Sequence, residues 1–176
     1  MGAARYGGFV APVVIAPYDP AWPAMFEAER ALLERQLEGY VVGGIEHVGS
    51  TSVAGLAAKP VIDIMVGVAS LEASWSAVPL LGPLGYGYFP YRSDVMHWFC
   101  KPSPEIRTHH VYLIEHQSRA WLERLAFRDS LRADADLRTA YVSLKRELAE
   151  RHREDREAYT EHKAGFIQDV VSRALR

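Results

Sequence analysis

A mixed α/β (α+β) domain, with helices packed on one mixed sheet, is the architecture this sequence predicts. Three observations carry that expectation. A strongly apolar run at Val61 to Val66 reads as a buried strand, and helical stripes of apolar residues recur near both ends of the chain. Between them the order of elements is helix, strand, helix, strands and terminal helices, which is neither all-α nor a strict βαβ alternation. With 176 residues and 49% hydrophobic content, one core and one domain suffice. Residues 13–176 are expected to form it, with residues 1–12 as a flexible N-terminus.

The first helix is expected from about Trp22 to Leu37, with Met25, Phe26, Leu32, Leu33 and Leu37 on its apolar side and Asp19-Pro20 as its start signal. Ile45 to Val48 then reads as a short strand ending at Gly49-Ser50. Ser50, Thr51 and Ser52 are all good N-caps, so a helix is expected to begin there. The glycine would let a ligand approach the backbone, and a helix N-terminus favours an anion such as phosphate. An ordinary capped turn is the plain alternative.

Asp63 follows Ser50 after twelve intervening residues, inside the strand Val61-Ile62-Asp63-Ile64-Met65-Val66. Side chains alternate across a sheet, so Ile62, Ile64 and Val66 define a core face while Val61, Asp63 and Met65 take the other. A carboxylate in such a strand is costly unless hydrated, paired or bound to metal, which places Asp63 beside a cleft or in an ion pair. Lys59, extended by Pro60, leads into the same strand and is a candidate phosphate contact. The spacing G-x-x-x-x-G-K-[ST] is absent, and so is G-x-G-x-x-G.

A second helix is expected near Leu71 to Leu81, then a Gly- and Pro-rich loop from Gly82 to Pro90. Strands are expected at Val95 to Lys101 and Arg107 to Ile114, joined by Pro102-Ser103-Pro104. In the second, Val111 and Leu113 face the core while Thr108, His110 and Tyr112 face the other way, so His110 converges with Asp63 if the strands are neighbours. His109 reads as a hydrogen-bonded core residue. Ser118 can cap a helix carrying Trp121, Leu122 and Leu125 to about Leu131, and two further stripes run from Asp136 to the C-terminus. The mixed-sign run Arg151 to Glu157 reads as a solvated helix face.

Composition excludes several classes of function. A net charge of −2 lacks the footprint of a dedicated nucleic-acid binder, and no apolar stretch reaches membrane-spanning length. Cys100, the sole cysteine, allows no internal disulfide and suits a cytoplasmic setting as a core thiol. A zinc site among His97, His109, His110 and His116 is weakened by the opposite facing of the two adjacent histidines. Arg107, Arg128, Arg132 and Lys145 could clamp a phosphate, though each alone is more often an ion-pair partner.

The run Ile45 to Val68, with Tyr18-Asp19-Pro20, Trp22-Pro23, Arg107-Thr108-His109-His110-Val111 and Phe127-Arg128-Asp129, resembles the GrpB family over nearly the whole chain. GrpB domains are similar to the nucleotidyltransferase superfamily that includes DNA polymerase beta, and some resembling domains are fused to dephospho-CoA kinase. That superfamily has a Gly-Ser or Gly-Gly turn, a short spacer, then Asp-x-Asp/Glu on a strand and a further carboxylate on a later strand. Gly49-Ser50 and Asp63 match this pattern; Met65 stands at the second carboxylate and His110 or Tyr112 at the third.

The resemblance implies a nucleotidyltransferase-like fold and a nucleotide or other phosphate-bearing small molecule as partner. Gly49, Ser50, Thr51, Ser52, Lys59, Arg107 and Arg128 would bind phosphate, and Asp63 with His110 would form the catalytic and metal site. The metal would be Mg²⁺ or Mn²⁺, with Zn²⁺ less favoured. Two readings stay open. One is metal-assisted nucleotidyl transfer; the other is a module that kept the cleft and lost the chemistry. The oligomeric state and acceptor are open.

Overall fold

In the computed structural model, residues 12–176 are described, so the expectation for the first eleven residues lies outside the described part. Five strands form one mixed sheet in the order β1-β2-β5-β4-β3: β1 (Val41–Val48), β2 (Ile62–Val68), β3 (Gly87–Phe89), β4 (His97–Pro102) and β5 (Arg107–Glu115). Only β2 and β5 run parallel. The helices are α1 (Trp22–Gln36), α2 (Arg119–Ala133), α3 (Ala135–Arg151), α4 (Arg156–His162) and α5 (Ala164–Ala174).

Both faces of the sheet are covered. On one, Ile62, Ile64, Val66, Phe99, Val111 and Leu113 meet Trp22, Phe26 and Leu33 of α1. On the other, Val48, Met65, Met96 and Ile114 pack against Trp121 of α2. The core face read from the alternation of β2 is therefore real, but the opposite face is apolar too beyond Asp63. Gly67 permits this, because a Cβ there would overlap the carbonyl of Val42 and press on the Trp121 ring. The buried side of α1 is Trp22, Phe26 and Leu33 with Glu29, which is paired to Lys101, whereas Met25 and Leu32 are exposed.

Several expected elements differ. After Gly49 there is only a three-residue 3-10 turn, Ser50–Ser52. The helix expected at residues 71–81 is a 3-10 segment, Trp75–Leu84, because Pro79 and Pro83 each remove a backbone donor from an α ladder. The following loop closes into β3. The run from Arg151 to Glu157 is a break between helices: α3 ends at Arg151, and Asp155 Oδ1 caps α4 by accepting from the Ala158 N–H at 2.9 Å. Helices α3 to α5 pack through Tyr141, Leu148 and Tyr159 onto Val13, Val53 and Leu56, which places them over the end of the sheet where β1 exits.

Candidate functional site

Four residues lie in one row across the sheet: Val48 of β1 pairs with Asp63 of β2, Asp63 with His110 of β5, and His110 with Cys100 of β4. Register thus brings Asp63 and His110 together from far apart in the sequence. The His110 ring sits 2.9 Å from Asp63 Oδ1 through Nδ1, and the Tyr112 hydroxyl donates to the same oxygen at 2.7 Å. An ionised carboxylate can only accept, so Nδ1 carries the proton and Nε2 presents a lone pair. That Nε2 is buried and has no hydrogen-bond partner among the described residues.

Burial alone would raise the Asp63 carboxyl, but the hydrogen bond and charge of His110, then the Tyr112 hydroxyl, outweigh it and hold the group below the usual carboxylate range. Burial lowers His110 despite the pull of Asp63. At neutral pH the pair is therefore carboxylate and neutral imidazole.

Gly49 is pressed against this carboxylate. Its φ of 71° lies in the region open to glycine, and a Cβ at this position would overlap Asp63 Oδ2. The Gly49-Ser50 turn and Asp63 therefore border one site, although not through a helix N-terminus. Three residues carry no useful macrodipole, and two of the three hydroxyls are spent on backbone carbonyls. Ser52 Oγ donates to the Gly49 carbonyl at 2.6 Å, and Thr51 Oγ1 donates to the Val61 carbonyl at 3.0 Å. Only Ser50 turns toward the helices, where the Lys145 ammonium donates to its Oγ at 3.2 Å and to the Ala57 carbonyl.

Lys145 is the most informative side chain of the site. It is 1% exposed and forms no ion pair with any described carboxylate. Burial, with Lys163 and Arg146 adding to it, pushes its ammonium down to about 7. Lys59 is brought down to about 8 by burial, then by Arg156, Lys163 and Arg107, with Asp63 opposing. Lys163 reaches about 8 through burial, again opposed by Asp63. Arg156 projects inward from the first turn of α4, and its Nε and one terminal nitrogen are buried without partners among the described residues. Arg107 lies 5.0 Å over the Trp98 ring and donates to the Pro104 carbonyl at 2.7 Å.

Sequence reasoning missed Arg156 and Lys163. Their signal was the Asp155 cap, which breaks the charged run into two helices and turns residue 156 inward instead of leaving it on a solvated face. Arg128, by contrast, stands apart from these cations. Its guanidinium is engaged by Glu46 at 2.6 Å and Asp129 at 2.7 Å, and it lines a separate cleft of about 430 Å³ with Arg132, Ser52 and His47. His47, which lines that cleft from β1, meets Thr51 Oγ1 through Nε2 at 3.1 Å, and burial lowers it to about 4. His109 is half-buried beside Thr108 instead of lying in the core.

The donor set does not suit a two-ion oxygen cage. Hard divalent ions bind several oxygen ligands, whereas Asp63 is the lone carboxylate here and its Oδ1 already accepts two hydrogen bonds. Met65 is fully buried among Val48, Met96, Ile114 and Trp121, so the position of the second carboxylate opens into apolar packing. Among the described residues no three His, Cys, Asp or Glu side chains converge as metal ligands. His97 bonds the Leu71 carbonyl and His116 packs on Trp121, so the histidines considered for zinc are dispersed.

Three comparisons bear on this geometry. The family model described as GrpB protein matches residues 12–173. The glutamate-rich protein GrpB of Alkalihalophilus pseudofirmus is 32% identical over 165 residues, covering 91% of this chain and 94% of that protein. A dephospho-CoA kinase of Mycolicibacterium paratuberculosis is 30% identical over 190 residues, covering 93% of this chain but 46% of that protein. Among solved structures, the conserved protein GrpB from Enterococcus faecalis is 34% identical, with a TM-score of 0.83 over 92% of this chain and 97% of that one.

Proposed function

The chain belongs to the GrpB family, and from that premise we propose that it binds a phosphate-bearing small molecule, of nucleotide type, where the Asp63 row meets helices α3 to α5. The observation that carries this reading is Lys145: a side chain 1% exposed whose ammonium is met by the Ser50 hydroxyl, the Ala57 carbonyl and the face of the Tyr141 ring, with no carboxylate among the described residues. Burying a cation without a counter-ion is expensive. An anion arriving at Ser50 supplies that counter-ion, and Lys59, Lys163, Arg107 and Arg156 stand ready to share its charge.

The similarity to part of a protein named dephospho-CoA kinase supports a phosphorylated ligand. Nucleotidyl transfer fits the same residues less well, because it relies on metal-bound carboxylates and Met65 stands at the second such position. The neutral His110, oriented by Asp63 through Nδ1, remains available to accept a proton or a hydrogen bond from the ligand at Nε2.

The test is a thermal-shift and calorimetry panel of orthophosphate, nucleoside phosphates and coenzyme A precursors, run in EDTA and again with Mg²⁺, Mn²⁺ or Zn²⁺. At a hundredfold over its dissociation constant a ligand stabilises by about 2.7 kcal/mol, a melting shift of roughly 5 to 10 °C for a chain of this size. Binding that persists in EDTA and is lost in Lys145→Met supports the proposal. No shift with any phosphate compound in any condition would remove it, and binding only with metal, abolished by Asp63→Asn, would restore the metal-assisted reading.

A further inference from the structure

Of the three hydroxyls that follow Gly49, that of Ser50 alone donates to no backbone carbonyl among the described residues. Thr51 Oγ1 is committed to the Val61 carbonyl and Ser52 Oγ to the Gly49 carbonyl. Ser50 Oγ instead lies 3.2 Å from Lys145 Nζ and beside the Tyr141 hydroxyl. Burial keeps the Tyr141 phenol protonated, so it can donate to Ser50 Oγ and leave the serine proton to the amine. Ser50 is partly exposed, within reach of a substrate, whereas Lys145 is sealed from water at 1% exposed.

The surroundings of Lys145 suit a free amine better than a structural cation. The Ala57 carbonyl accepts one N–H, the Tyr141 ring centre lies 4.7 Å from the nitrogen, and no described carboxylate pairs with it. When the nitrogen is neutral, an N–H still serves Ala57 and the lone pair can take the Ser50 proton across the same 3.2 Å contact. The titratable groups around it are Tyr141 and Arg146 on its own helix and Lys163 at the α4–α5 junction, with Asp63 of β2 acting on Tyr141 and Lys163. Burial and then the two cations bring the amine to about 7, so its free form is abundant at neutral pH.

We propose that Ser50 and Lys145 form a nucleophile–base pair that cleaves carboxylic esters or thioesters through an acyl-serine intermediate. A serine activated by a desolvated lysine needs no third residue to supply the base. Ser50 Oγ attacks the carbonyl carbon while its proton passes to Lys145 Nζ. The tetrahedral adduct collapses, the bond to the alcohol or thiol breaks, and Lys145 returns the proton to that leaving group. Water then attacks the acyl-serine, again giving its proton to Lys145, and release of the carboxylic acid restores the Ser50 hydroxyl. This activity goes beyond the phosphate-binding reading, which uses the ammonium form of the same lysine, and it requires the free amine.

The full chain, treated with a fluorophosphonate and followed by intact-mass and peptide mass spectrometry, tests the pair. The reagent forms an Oγ–P bond with an activated serine and releases fluoride, so a single adduct on Ser50 is expected. Its rate should rise about tenfold per pH unit below 7 and level off above 8, as titration of the base dictates. p-Nitrophenyl acetate should give a burst of one nitrophenol per chain. Lys145→Met, shown to be folded by circular dichroism, should label at least a hundredfold more slowly. The inference is overturned by no adduct, by an adduct on another serine, by a rate that climbs with hydroxide without levelling, or by an unchanged rate in the folded variant. Site mapping and the pH profile need no variant. Phosphate binding is measured on the untreated protein, so either reading can fail while the other stands.

Discussion

Gly49 is constrained twice, by its positive φ and by the Asp63 carboxylate lying where a Cβ would go. A non-glycine residue in a left-handed conformation costs roughly 1–2 kcal/mol, and displacing the carboxylate adds the loss of its two donors. Gly49→Ala is expected to lose about 2–4 kcal/mol by urea denaturation. In an Asp63→Ala background the steric part disappears, so the double mutant should show positive coupling; simple additivity would mean that the two residues do not touch as described. Lys145 gives a pH signature. Its folded value of about 7 lies below the ordinary lysine value of 10.5, so between those limits the unfolded chain holds the extra proton and stability rises with pH. Below about pH 7 the buried charge is present in both states and its cost is fully felt. Lys145→Met is accordingly expected to be more stable than wild type at pH 6, on the order of 1–3 kcal/mol, with the gap closing toward pH 10. A variant less stable than wild type at pH 6 would contradict an uncompensated buried ammonium. Sulfate, whose charge is constant over this range, should bind progressively less well as pH rises through 7 and 8.

At the scale of elements, α2 decides what the face of β2 beyond Asp63 can do. Trp121 closes over Gly67 and packs with Met65, and an acidic residue at position 65 would be sealed away from solvent. Met65→Asp is therefore expected to destabilise by about 3 kcal/mol or more, through a lost core side chain and a buried unpaired charge, and Mn²⁺ should not recover the loss. A folded variant that gains Mn²⁺ affinity would show that α2 yields and that a metal site is latent. How much of this was legible in the sequence depended on the kind of signal. The convergence of Asp63 with His110 was conditional on the two strands pairing, which the β2–β5 register supplies, whereas alternation in Val61 to Val66 and in Arg107 to Ile114 gave the strands and their inward faces, because a period of two is local. Ser118 gave the start of α2, for the same reason. The depth of the second face was not legible: whether Met65 lines a cleft or a core depends on where Trp121 lands, fifty-six positions later. The serines after Gly49 suggested a capped helix, yet their hydroxyls bond back into the turn and to Val61, a competition that composition does not decide. Arg128 looked like a clamp because its partners Glu46 and Asp129 compete for it only in the folded chain.

For the molecule as a whole, a net charge of −2 conceals a strongly uneven distribution, with five cations gathered at one end of the sheet. The proposed site has two sides of different origin. The sheet wall holds Asp63 and His110 on strands hydrogen-bonded on both sides, with Ser50 in the turn after the edge strand β1, whereas Lys145, Lys163 and Arg156 come from the terminal helices and the junctions between them. Helices held at a protein's periphery open with lower free energy than a central sheet. An anion bridging the two walls binds the closed arrangement and not the opened one, so it stabilises the helical wall selectively. Hydrogen exchange with and without a saturating nucleoside phosphate should therefore show slowing in α4 and at the α3–α4 and α4–α5 junctions, by up to about a hundredfold at a hundred times the dissociation constant. Amides of β2 and β5, which exchange through larger openings, are expected to change less wherever those openings already exceed the binding free energy in cost. Slowing confined to the sheet, or to the separate cleft near Arg128, would place the ligand elsewhere and break the link between the terminal helices and the Asp63 row.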